Sequence, residues 1–374
     1  MEHIPVFKPS LGSEELAAVK ETFDLGWVGL GPKTAEFEKQ FAAYVGAKHA
    51  IALNSATAAL HLSLQLAEVT GKEVITTSMT FVSTNHAILY NGGIPVFVDI
   101  EADTLNIDTA KIESAITSKT RAIVCVHYGG HACNLDAIHV LAKKHNLIVI
   151  EDAAHADGSD YRGKKIGSLS DLTCFSFHAV KNLTTGEGGM ITTNNDDWAE
   201  HLKKLRWLGI SKSTFDRSIV GEKYDWYYDV EEVGWKCHMS DINAAIGIVQ
   251  LRKLDDMNNR RRNVRDRYNL ELKEISWIEL PVEKEYTRSA SHNYVIKVDN
   301  EASRNGLIAH LRAQNIATGV HYIPNHLYEI YAPYRRSLPI TEEVWRRIIT
   351  LPLYPDMTDE EFVRVVEAIK NFKP

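Results

Sequence analysis

The chain has 374 residues, of which 44% are hydrophobic, and a formal net charge of −7 at pH 7. This length exceeds one ordinary core, so a large domain with a smaller one is expected, and the mildly negative charge without a long Lys/Arg run argues against nucleic acid as the main partner. No basic segment precedes an apolar one at the amino terminus and no apolar stretch could cross a bilayer, so we expect a cytoplasmic protein without a membrane partner.

Strand-like runs alternate with helix-like segments along the chain. The strand-like runs are AIAL, EVITT, PVFVDI, AIVCVH, LIVIED, LTCFSF and GMITTN, and the helix-like segments include SEELAAVKETFDL, AALHLSLQLA and NLDAIHVLAKKH. This alternation predicts an α/β fold, with a mostly parallel sheet and helices on both of its faces. No GxGxxG motif follows a strand, so a nicotinamide-binding Rossmann fold lacks its main support.

The segment from Ser240 to about Leu272 predicts one or two long helices that lead to a second, smaller domain. That domain combines the strand-like runs SHNYVIKVD and ATGVHYI with the helix-like segments EASRNGLIAHLRAQN and DEEFVRVVEAIKN, which is an α+β pattern. We therefore divide the chain into a large ligand-binding domain at 1–250, which includes the amino-terminal segment, and a small domain at 251–374.

The most informative stretch lies between Leu147 and Asn194. LIVIED has the apolar, β-branched pattern of a strand buried on both faces, and Asp152 ends it at the edge where open α/β sheets bind ligands. Lys181 follows in SFHAVKNL, where small, apolar and hydroxyl neighbours suit a solvated charge poorly. A buried lysine with a lowered pKa can form a Schiff base with a carbonyl cofactor such as pyridoxal 5'-phosphate.

An acid beside the pyridine nitrogen would complete this chemistry, because a protonated ring is the electron sink of the cofactor. Asp152 suits that role, and His155 is placed to orient Asp152 or to hydrogen-bond the phenolic oxygen of the cofactor. Taken singly, Asp152 is better explained as a turn or helix-cap aspartate and His155 as a satisfied buried histidine. The prediction therefore depends on their combination with Lys181.

A metal site is an alternative that the segment HYGGHAC raises, because His127, His131 and Cys133 lie close together in sequence. A structural zinc would need a fourth ligand, and the residues that follow offer only a weak one. We favour a loop that carries polar residues toward the ligand and expect no metal. The cysteines form no CxxC pair and no disulfide framework, so all are expected to be reduced and buried: Cys125, Cys133, Cys174 and Cys237.

Together with other segments, these residues resemble the sugar aminotransferases of the DegT/DnrJ/EryC1/StrS family, which are fold-type I enzymes that depend on pyridoxal phosphate. The resemblance covers nearly the whole chain and rests on the order and spacing of SATAAL, SMTFVST, EDAAHA, FSFHAVKN and GWKCHMSDINAAI. Within the family, these segments are most similar to the branch that aminates 4-keto sugar nucleotides. That branch includes the enzyme that makes 4-amino-4-deoxyarabinose for lipid A.

The resemblance implies that the backbone amides of Ala56 and Thr57, at a helix N-terminus after Ser55, bind the cofactor phosphate. An ordinary Ser/Thr helix cap explains Ser55 and Thr57 without a ligand, and many family members have glycine where this chain has Ala56. By the same resemblance, Phe81 stacks on the pyridine ring, with a core phenylalanine as the alternative. Ser176 would hold a phosphate oxygen through its hydroxyl.

Lys236, in GWKCHMSD, departs from the commonest family pattern, in which an asparagine reaches the phosphate from the neighbouring subunit. A lysine there would bring positive charge to the phosphate or to a substrate diphosphate, and a surface lysine on a loop is the alternative. The resemblance thus implies a homodimer with shared active sites. His321, Tyr322 and His326 are expected either to approach the sugar and its phosphates or to serve domain packing.

The implied reaction moves an amino group from L-glutamate, which leaves as 2-oxoglutarate, to the keto carbon of a nucleotide-linked keto-deoxysugar, with C4 expected. A family enzyme that acts at C3 or on a keto-inositol would share every cofactor residue. Related dehydratases typically replace the lysine with histidine, whereas Lys181 is present. A non-catalytic, cofactor-binding regulator would belong to another class and usually carries an appended DNA-binding domain, which is not visible in this sequence.

Overall fold

The computed structural model describes residues 2–211 and 228–374. The strands of these residues are β1 His49–Leu53, β2 Glu73–Thr77, β3 Ile94–Val98, β4 Thr120–Val126, β5 Ile148–Asp152, β6 Asp160–Tyr161, β7 Lys164–Lys165, β8 Leu172–Ser176, β9 Gly189–Thr193, β10 Ile278–Glu279, β11 Thr287–Arg288, β12 Tyr294–Val298 and β13 Ile348–Leu351. The α-helices are α1 Ser13–Asp24, α2 Pro32–Val45, α3 Ala56–Leu66, α4 Val82–Tyr90, α5 Thr109–Ile112, α6 Leu135–His145, α7 Asp196–Leu205, α8 Asp241–Leu272, α9 Glu301–Ala313, α10 Pro339–Val344 and α11 Asp359–Lys370.

A seven-stranded sheet forms the centre of the fold, with the strand order β1-β9-β8-β5-β4-β2-β3. Strand β9 runs antiparallel to both of its neighbours, and the other neighbouring pairs are parallel. Two smaller sheets have three strands each, in the orders β10-β12-β13 and β11-β6-β7. The mostly parallel α/β sheet predicted from the alternating pattern is confirmed.

Successive residues of the central strands pack on opposite faces of the sheet. In β4, Ile123 and Cys125 belong to a core with residues of α2, α6 and α8, whereas Ala122 and Val124 belong to a second core with residues of α3, α4 and α7. Each fully buried aliphatic side chain of this kind contributes about 1.5–3 kcal/mol to folding. The sheet is therefore covered by helices on both faces, and the four cysteines are free and buried within the protein.

Helix α8 is a single helix of 32 residues, which Ser240 caps by accepting a hydrogen bond from the Asn243 N–H. The boundary between the two domains expected from the sequence, at position 250, lies inside this helix. Beyond α8, a third core contains residues of β12, β13, α9 and α11, and it also includes Ile4 from the start of the chain. Among the described residues, no helix is long and apolar enough to span a bilayer.

The strand predicted at ATGVHYI does not form. That segment has a single bridge, from Gly319 to Thr350, and the residue before the segment, Ile316, bridges Ile4. The neighbour of β12 on that side is β13, whose four residues are all buried. Strand β13 therefore pairs with β12, and 317–323 runs beside β13 with an irregular path that brings His321 and Tyr322 to the carboxyl edge of the central sheet.

Candidate active site

A cavity of about 400 Å³ opens at the carboxyl ends of the central strands. Val126, Asp152 and Ser176, which end β4, β5 and β8, lie on its floor. Its walls come from several distant parts of the chain, including Ser55–Thr57, Thr80, Phe81, Ser83, Lys181, Phe7, His292, His321 and Tyr322. The location agrees with the rule that open α/β sheets bind ligands beyond the carboxyl ends of their strands.

Lys181 lies in the loop after β8, where its backbone N–H donates to the His178 carbonyl at 2.9 Å. Burial lowers the pKa of the Lys181 amine to about 8, although the carboxyl groups of Asp152 and Asp157 act in the opposite direction. A larger fraction of this amine is therefore neutral near pH 7 than for a solvated lysine. The neutral amine is the form that attacks a carbonyl carbon.

Asp152 ends β5 with only 4% of its surface exposed. Its Oδ2 accepts a hydrogen bond from the Thr84 hydroxyl at 2.7 Å, and its Oδ1 accepts one from the Ala154 N–H at 3.1 Å. Burial raises the pKa of Asp152, and these two hydrogen bonds oppose that rise. A carboxyl group held in this way is suited to pair with a cation inside the cavity, because two donors already stabilise its ionised form.

His155 is buried next to the cavity and bonds to Tyr322. Because the Gly129 N–H donates to His155 Nδ1 at 3.3 Å, the ring proton is on Nε2, which donates to the Tyr322 oxygen at 3.0 Å. Burial lowers the pKa of His155 well below its usual value, so this ring is neutral. The orienting contact of His155 is thus with Tyr322, while Thr84 and Ala154 fill the corresponding role at Asp152.

The start of α3 and the ends of β8 and β9 meet at one side of the cavity. The Ser55 hydroxyl caps α3 by accepting a hydrogen bond from the Ala58 N–H at 3.1 Å, and Ala56 and Thr57 line the cavity at this helix N-terminus. Ser176 lies opposite Gly189 in the β8–β9 pair. A β-carbon at Gly189 would lie 2.4 Å from the Ser55 carbonyl, so glycine is required for this approach. Backbone N–H groups and a hydroxyl converge there, as in phosphate sites.

Phe81 precedes α4 and keeps 57% of its surface exposed at the cavity wall. Its ring centroid is 6.0 Å from that of Tyr322, with the two planes tilted by 51°. The alternative of a core phenylalanine does not hold for this residue. An aromatic face open to the cavity can stack on a planar ligand.

Two predicted site residues lie outside the cavity of this chain. Lys236 is exposed, with its Nζ 3.5 Å from the ring centroid of Trp207, and burial of its amine by neighbouring groups lowers its pKa. His326 is buried, and its Nδ1 contacts the Ser78 hydroxyl at 3.0 Å. By contrast, His321 and Tyr322 line the cavity, and His321 Nδ1 contacts the Thr350 hydroxyl at 2.8 Å.

The histidines and cysteine of HYGGHAC do not converge on one point. His127 Nε2 contacts a Glu151 carboxyl oxygen at 2.6 Å, His131 Nε2 accepts from the Lys284 N–H, and the Cys133 thiol donates to the Val126 carbonyl. Within residues 2–211 and 228–374, no group of three His, Cys, Asp or Glu side chains could hold a metal ion. The segment instead contacts the cavity wall through Gly129, whose N–H donates to His155 Nδ1.

Three residues of the site were not singled out from the sequence: Phe7, Thr84 and His292. Thr84 belongs to the SMTFVST segment, and its position three residues after Phe81 was the one available signal. Phe7 and His292 are far apart in the sequence and meet through ring stacking, with centroids 5.2 Å apart. No local pattern indicates a contact of that kind.

Pyridoxal phosphate has an aldehyde, a ring nitrogen and a phosphate, and the cavity offers a matching group for each. Lys181 supplies an amine of lowered pKa, Asp152 a buried carboxyl group, and the start of α3 a set of backbone N–H groups. The glycine at position 189 leaves the space at the helix start open. The residues present therefore fit this cofactor, and fold and site together define a pyridoxal-phosphate-dependent enzyme of fold type I.

Comparison with known proteins agrees with this class. The profile of the DegT/DnrJ/EryC1/StrS aminotransferase family matches residues 9–370, and the chain belongs to that family. It is 43% identical over 377 residues to the spore coat polysaccharide biosynthesis protein SpsC of Bacillus subtilis, a match that covers 98% of this chain and 96% of SpsC.

Solved structures extend the comparison to the fold. The sugar aminotransferase Spr1654 of Streptococcus pneumoniae, in its PMP form, superposes with a TM-score of 0.92 at 34% identity, covering 99% of this chain and 97% of that one. PseC of Helicobacter pylori, an aminotransferase involved in the biosynthesis of pseudoaminic acid, has a TM-score of 0.92 at 29% identity, covering 99% and 98% of the two chains. Spr1654 is also solved in a PLP form. The chain is thus a PLP-dependent enzyme of the sugar aminotransferase family.

Proposed function

We propose that this enzyme transfers the amino group of L-glutamate to the keto carbon, at C4, of a nucleotide-linked keto-deoxysugar. The observation that carries the proposal is the placement of Lys181 and Asp152 on one solvent-connected cavity at the carboxyl edge of the sheet. The family assignment and the polysaccharide role in the name of SpsC support a sugar acceptor. The choice of C4 and of the 4-amino-4-deoxyarabinose branch rests on the resemblance of SATAAL, EDAAHA and FSFHAVKN to that branch.

When bound, pyridoxal phosphate supplies an electron sink for charge that develops on the carbon bearing the transferred amine. The Lys181 amine, with its pKa near 8, would take a proton from that carbon and deliver it to the cofactor carbon on the other side of the transferred nitrogen. Asp152 keeps the ring nitrogen protonated by pairing with it as a carboxylate. The same two residues serve the donor and the acceptor in turn, so the enzyme follows a ping-pong scheme.

Phosphate binding is assigned to Ala56, Thr57 and Ser176, and ring stacking to Phe81. Ala56 and Thr57 offer backbone N–H groups at the start of α3, which also carries the positive end of the helix dipole. The Tyr322 oxygen accepts a hydrogen bond from His155 Nε2–H, and Tyr322 keeps its own hydroxyl hydrogen because burial raises its pKa above the usual value. It is therefore a donor toward the phenolic oxygen of the cofactor or the sugar.

A homodimer completes the proposal. Apolar side chains near Lys236 are unusually exposed, with Val233 at 88%, Val230 at 62% and Trp235 at 46%. Trp235 packs edge-on against His61 of α3, with ring centroids 4.6 Å apart, so this surface adjoins the helix that binds the phosphate. A second copy that covers this apolar surface would bring its own Lys236 toward the phosphate end of the cavity. Exposed apolar surfaces of this kind mark interaction sites.

The test follows the two halves of the reaction. Purified enzyme loaded with pyridoxal phosphate is mixed with L-glutamate, and the loss of the Schiff-base absorbance is followed; a 4-keto-6-deoxyhexose nucleotide is then added, and the return of the band is measured. A 3-keto sugar nucleotide and a keto-inositol are the comparison acceptors. Faster return with either of these would move the assignment to C3 or to inositol, and a band indifferent to every amino donor would favour a cofactor-binding regulator.

A further inference from the structure

Four rings from separate parts of the chain meet beside Lys181. Phe7 stacks on His292 with centroids 5.2 Å apart and planes 4° from parallel, and His292 stacks on His155 at 4.4 Å and 26°. On the other side, His155 lies near-parallel to Tyr322 at 6.1 Å. His292 is thus clamped by a ring on each face and is only 3% exposed, yet it belongs to the cavity wall.

The protonation of His292 follows from a chain of hydrogen bonds with one certain acceptor at each step. Asn182 Nδ2 donates to the Ala290 carbonyl at 2.9 Å, which fixes the orientation of the Asn182 amide. The Asn182 Oδ1 is therefore an acceptor, and His292 Nδ1, 2.9 Å away, must donate to it. In a neutral imidazole with hydrogen on Nδ1, the other nitrogen has a lone pair and no proton. His292 Nε2 is consequently a hydrogen-bond acceptor.

Asn258 strengthens this assignment from α8. Its Nδ2 donates to the Asp157 carbonyl at 2.8 Å, so its Oδ1 is an acceptor, and that atom receives the second Asn182 bond at 2.8 Å. Arg261 Nη1 donates to the same oxygen at 3.3 Å. The side-chain amides of Asn182 and Asn258 are thus each oriented by a backbone carbonyl, which can only accept. If His292 carried its proton on Nε2 instead, its Nδ1 and the Asn182 Oδ1 would be two acceptors facing each other.

The Nε2 atom of His292 has no protein partner among the residues that the structure describes, and it is not sealed from the cavity. Burial keeps the pKa of His292 well below its usual value, and the neighbouring cations Lys181 and Arg261 act in the same direction. The ring therefore stays neutral. A neutral acceptor gains nothing from phosphate or carboxylate oxygens, which are acceptors themselves, and it pairs instead with a group that carries a hydrogen.

We infer that His292 is a substrate-contacting residue whose Nε2 accepts a hydrogen bond from one hydroxyl group of the sugar. This inference rests on the proposed function, because it takes the acceptor to be a sugar. The carboxylates of the amino donor do not satisfy Nε2, and its amino group is the group transferred, so we assign the contact to the sugar half of the reaction. His292 then recognises a single hydroxyl group of the sugar and contributes to the specificity of the enzyme among keto sugars.

The experiment uses two substitutions, each of which replaces one of the two imidazole nitrogens of His292 by an amide atom. In His292→Asn the amide can still donate to Asn182 but no acceptor reaches the Nε2 position; in His292→Gln the longer amide can place an oxygen there. Both variants, as holoenzymes, are compared with the parent enzyme in the sugar half-reaction on a 4-keto-6-deoxyhexose nucleotide and on its 2-deoxy and 3-deoxy counterparts. His139→Asn, on the outer face of α6, is the control for a histidine change.

We expect the parent enzyme to react about tenfold more slowly, in kcat/KM, with the one analogue that lacks the contacted hydroxyl, since a buried acceptor is then left unpaired. His292→Asn should lose this preference, His292→Gln should restore part of it, and His139→Asn should keep it. A preference that survives in His292→Asn would overturn the inference, as would an equal loss of rate on every sugar. If the parent enzyme aminates no keto sugar but still reacts with glutamate, the proposed function fails and this inference with it.

Discussion

Thr84 donates its hydroxyl hydrogen to Asp152 Oδ2 at 2.7 Å, and both side chains are buried. The bond joins the start of α4 to the end of β5, and it opposes the rise of the Asp152 pKa that burial causes. In its proposed role Asp152 pairs as a carboxylate with a protonated ring nitrogen, so we expect this threonine to influence the acid limit of the enzyme.

Thr84→Val should move the acid limb of the pH–rate profile to higher pH. The change removes a hydrogen bond that stabilises the carboxylate, so the Asp152 pKa rises further and the carboxylate is lost at a higher pH on acidification. We expect a fall in the rate of the glutamate half-reaction at pH 6 of about tenfold, with less effect at pH 8. The measurement is the half-reaction rate against pH.

Thr173→Val is the matched control. Thr173 is a buried threonine of β8, the strand beside β5, and its hydroxyl donates to Glu151 at 3.1 Å and not to Asp152. Its profile should keep the acid limb of the parent enzyme. An acid limb that stays in place in Thr84→Val would show that the ionisation of Asp152 does not set it.

Asp152→Asn should leave cofactor bound and cripple turnover. The amide is similar in size and can remain at the end of β5, but it cannot carry the charge that keeps a ring nitrogen protonated. We expect kcat to fall by about a hundredfold or more, which corresponds to roughly 3 kcal/mol of lost transition-state stabilisation. Cofactor content by absorbance and kcat by amine transfer are measured on the same sample, and near-normal turnover would contradict the role.

Lys181→Ala should abolish both the Schiff-base absorbance and amine transfer. The substitution removes the nucleophile and the proton carrier at once, while the half-buried position tolerates a smaller side chain. Lys165→Ala, a lysine whose amine contacts the Asp160 and Asp255 carboxylates, is the control and should keep both signals. An active Lys181→Ala enzyme would remove the central assignment.

Gly189→Ala should weaken cofactor binding and lower the melting temperature. Its β-carbon would push against the Ser55 carbonyl at 2.4 Å and displace the start of α3, at a cost of about 1–3 kcal/mol. Gly29→Ala is the control, because its β-carbon would have no neighbour closer than 4.0 Å. Thermal unfolding with and without pyridoxal phosphate separates the two effects, and equal stabilisation by the cofactor in both variants would argue against a phosphate site there.

Lys236→Ala should raise the Kd for pyridoxal phosphate by about tenfold without unfolding the protein, since a charge-assisted contact to a phosphate contributes about 1.5–3 kcal/mol. Lys143→Ala, at the outer face of α6, is the control. The effect should disappear under conditions that separate the subunits, which sedimentation can monitor. Unchanged affinity in the dimer would identify Lys236 as a surface lysine that stacks on Trp207.

The sequence was sufficient to predict the sheet, and it placed the candidate residues Asp152 and Lys181 in segments that the structure brings to one cavity. Apolar runs such as LIVIED are buried on both faces, so their position in a parallel sheet and the position of Asp152 at a strand end follow from local pattern. Lys181 could be found because its neighbours suit a solvated amine poorly. Each of these two signals, around Asp152 and around Lys181, is contained within a few neighbouring residues.

The rest of the site depends on contacts between distant segments. Segment 317–323 runs beside β13, where only Gly319 bridges Thr350, and the residues of the segment alone do not indicate this neighbour. In the same way, the stacking of Phe7 on His292 and the bond from Thr84 to Asp152 join residues far apart in the chain. Such pairs become visible only when the topology is known.

The pairing of Ile4 with Ile316 and the stacking of Phe7 on His292 have a consequence for how the protein is made. Ile4 and Phe7 are synthesised long before His292 and Ile316, so they reach these native neighbours only after the intervening chain has been made. The central sheet can form before that time, but the cavity lacks a wall until the last third of the chain arrives. Competence to bind cofactor is therefore acquired late, and a nascent chain that stops before residue 322 has a folded sheet without a finished catalytic centre.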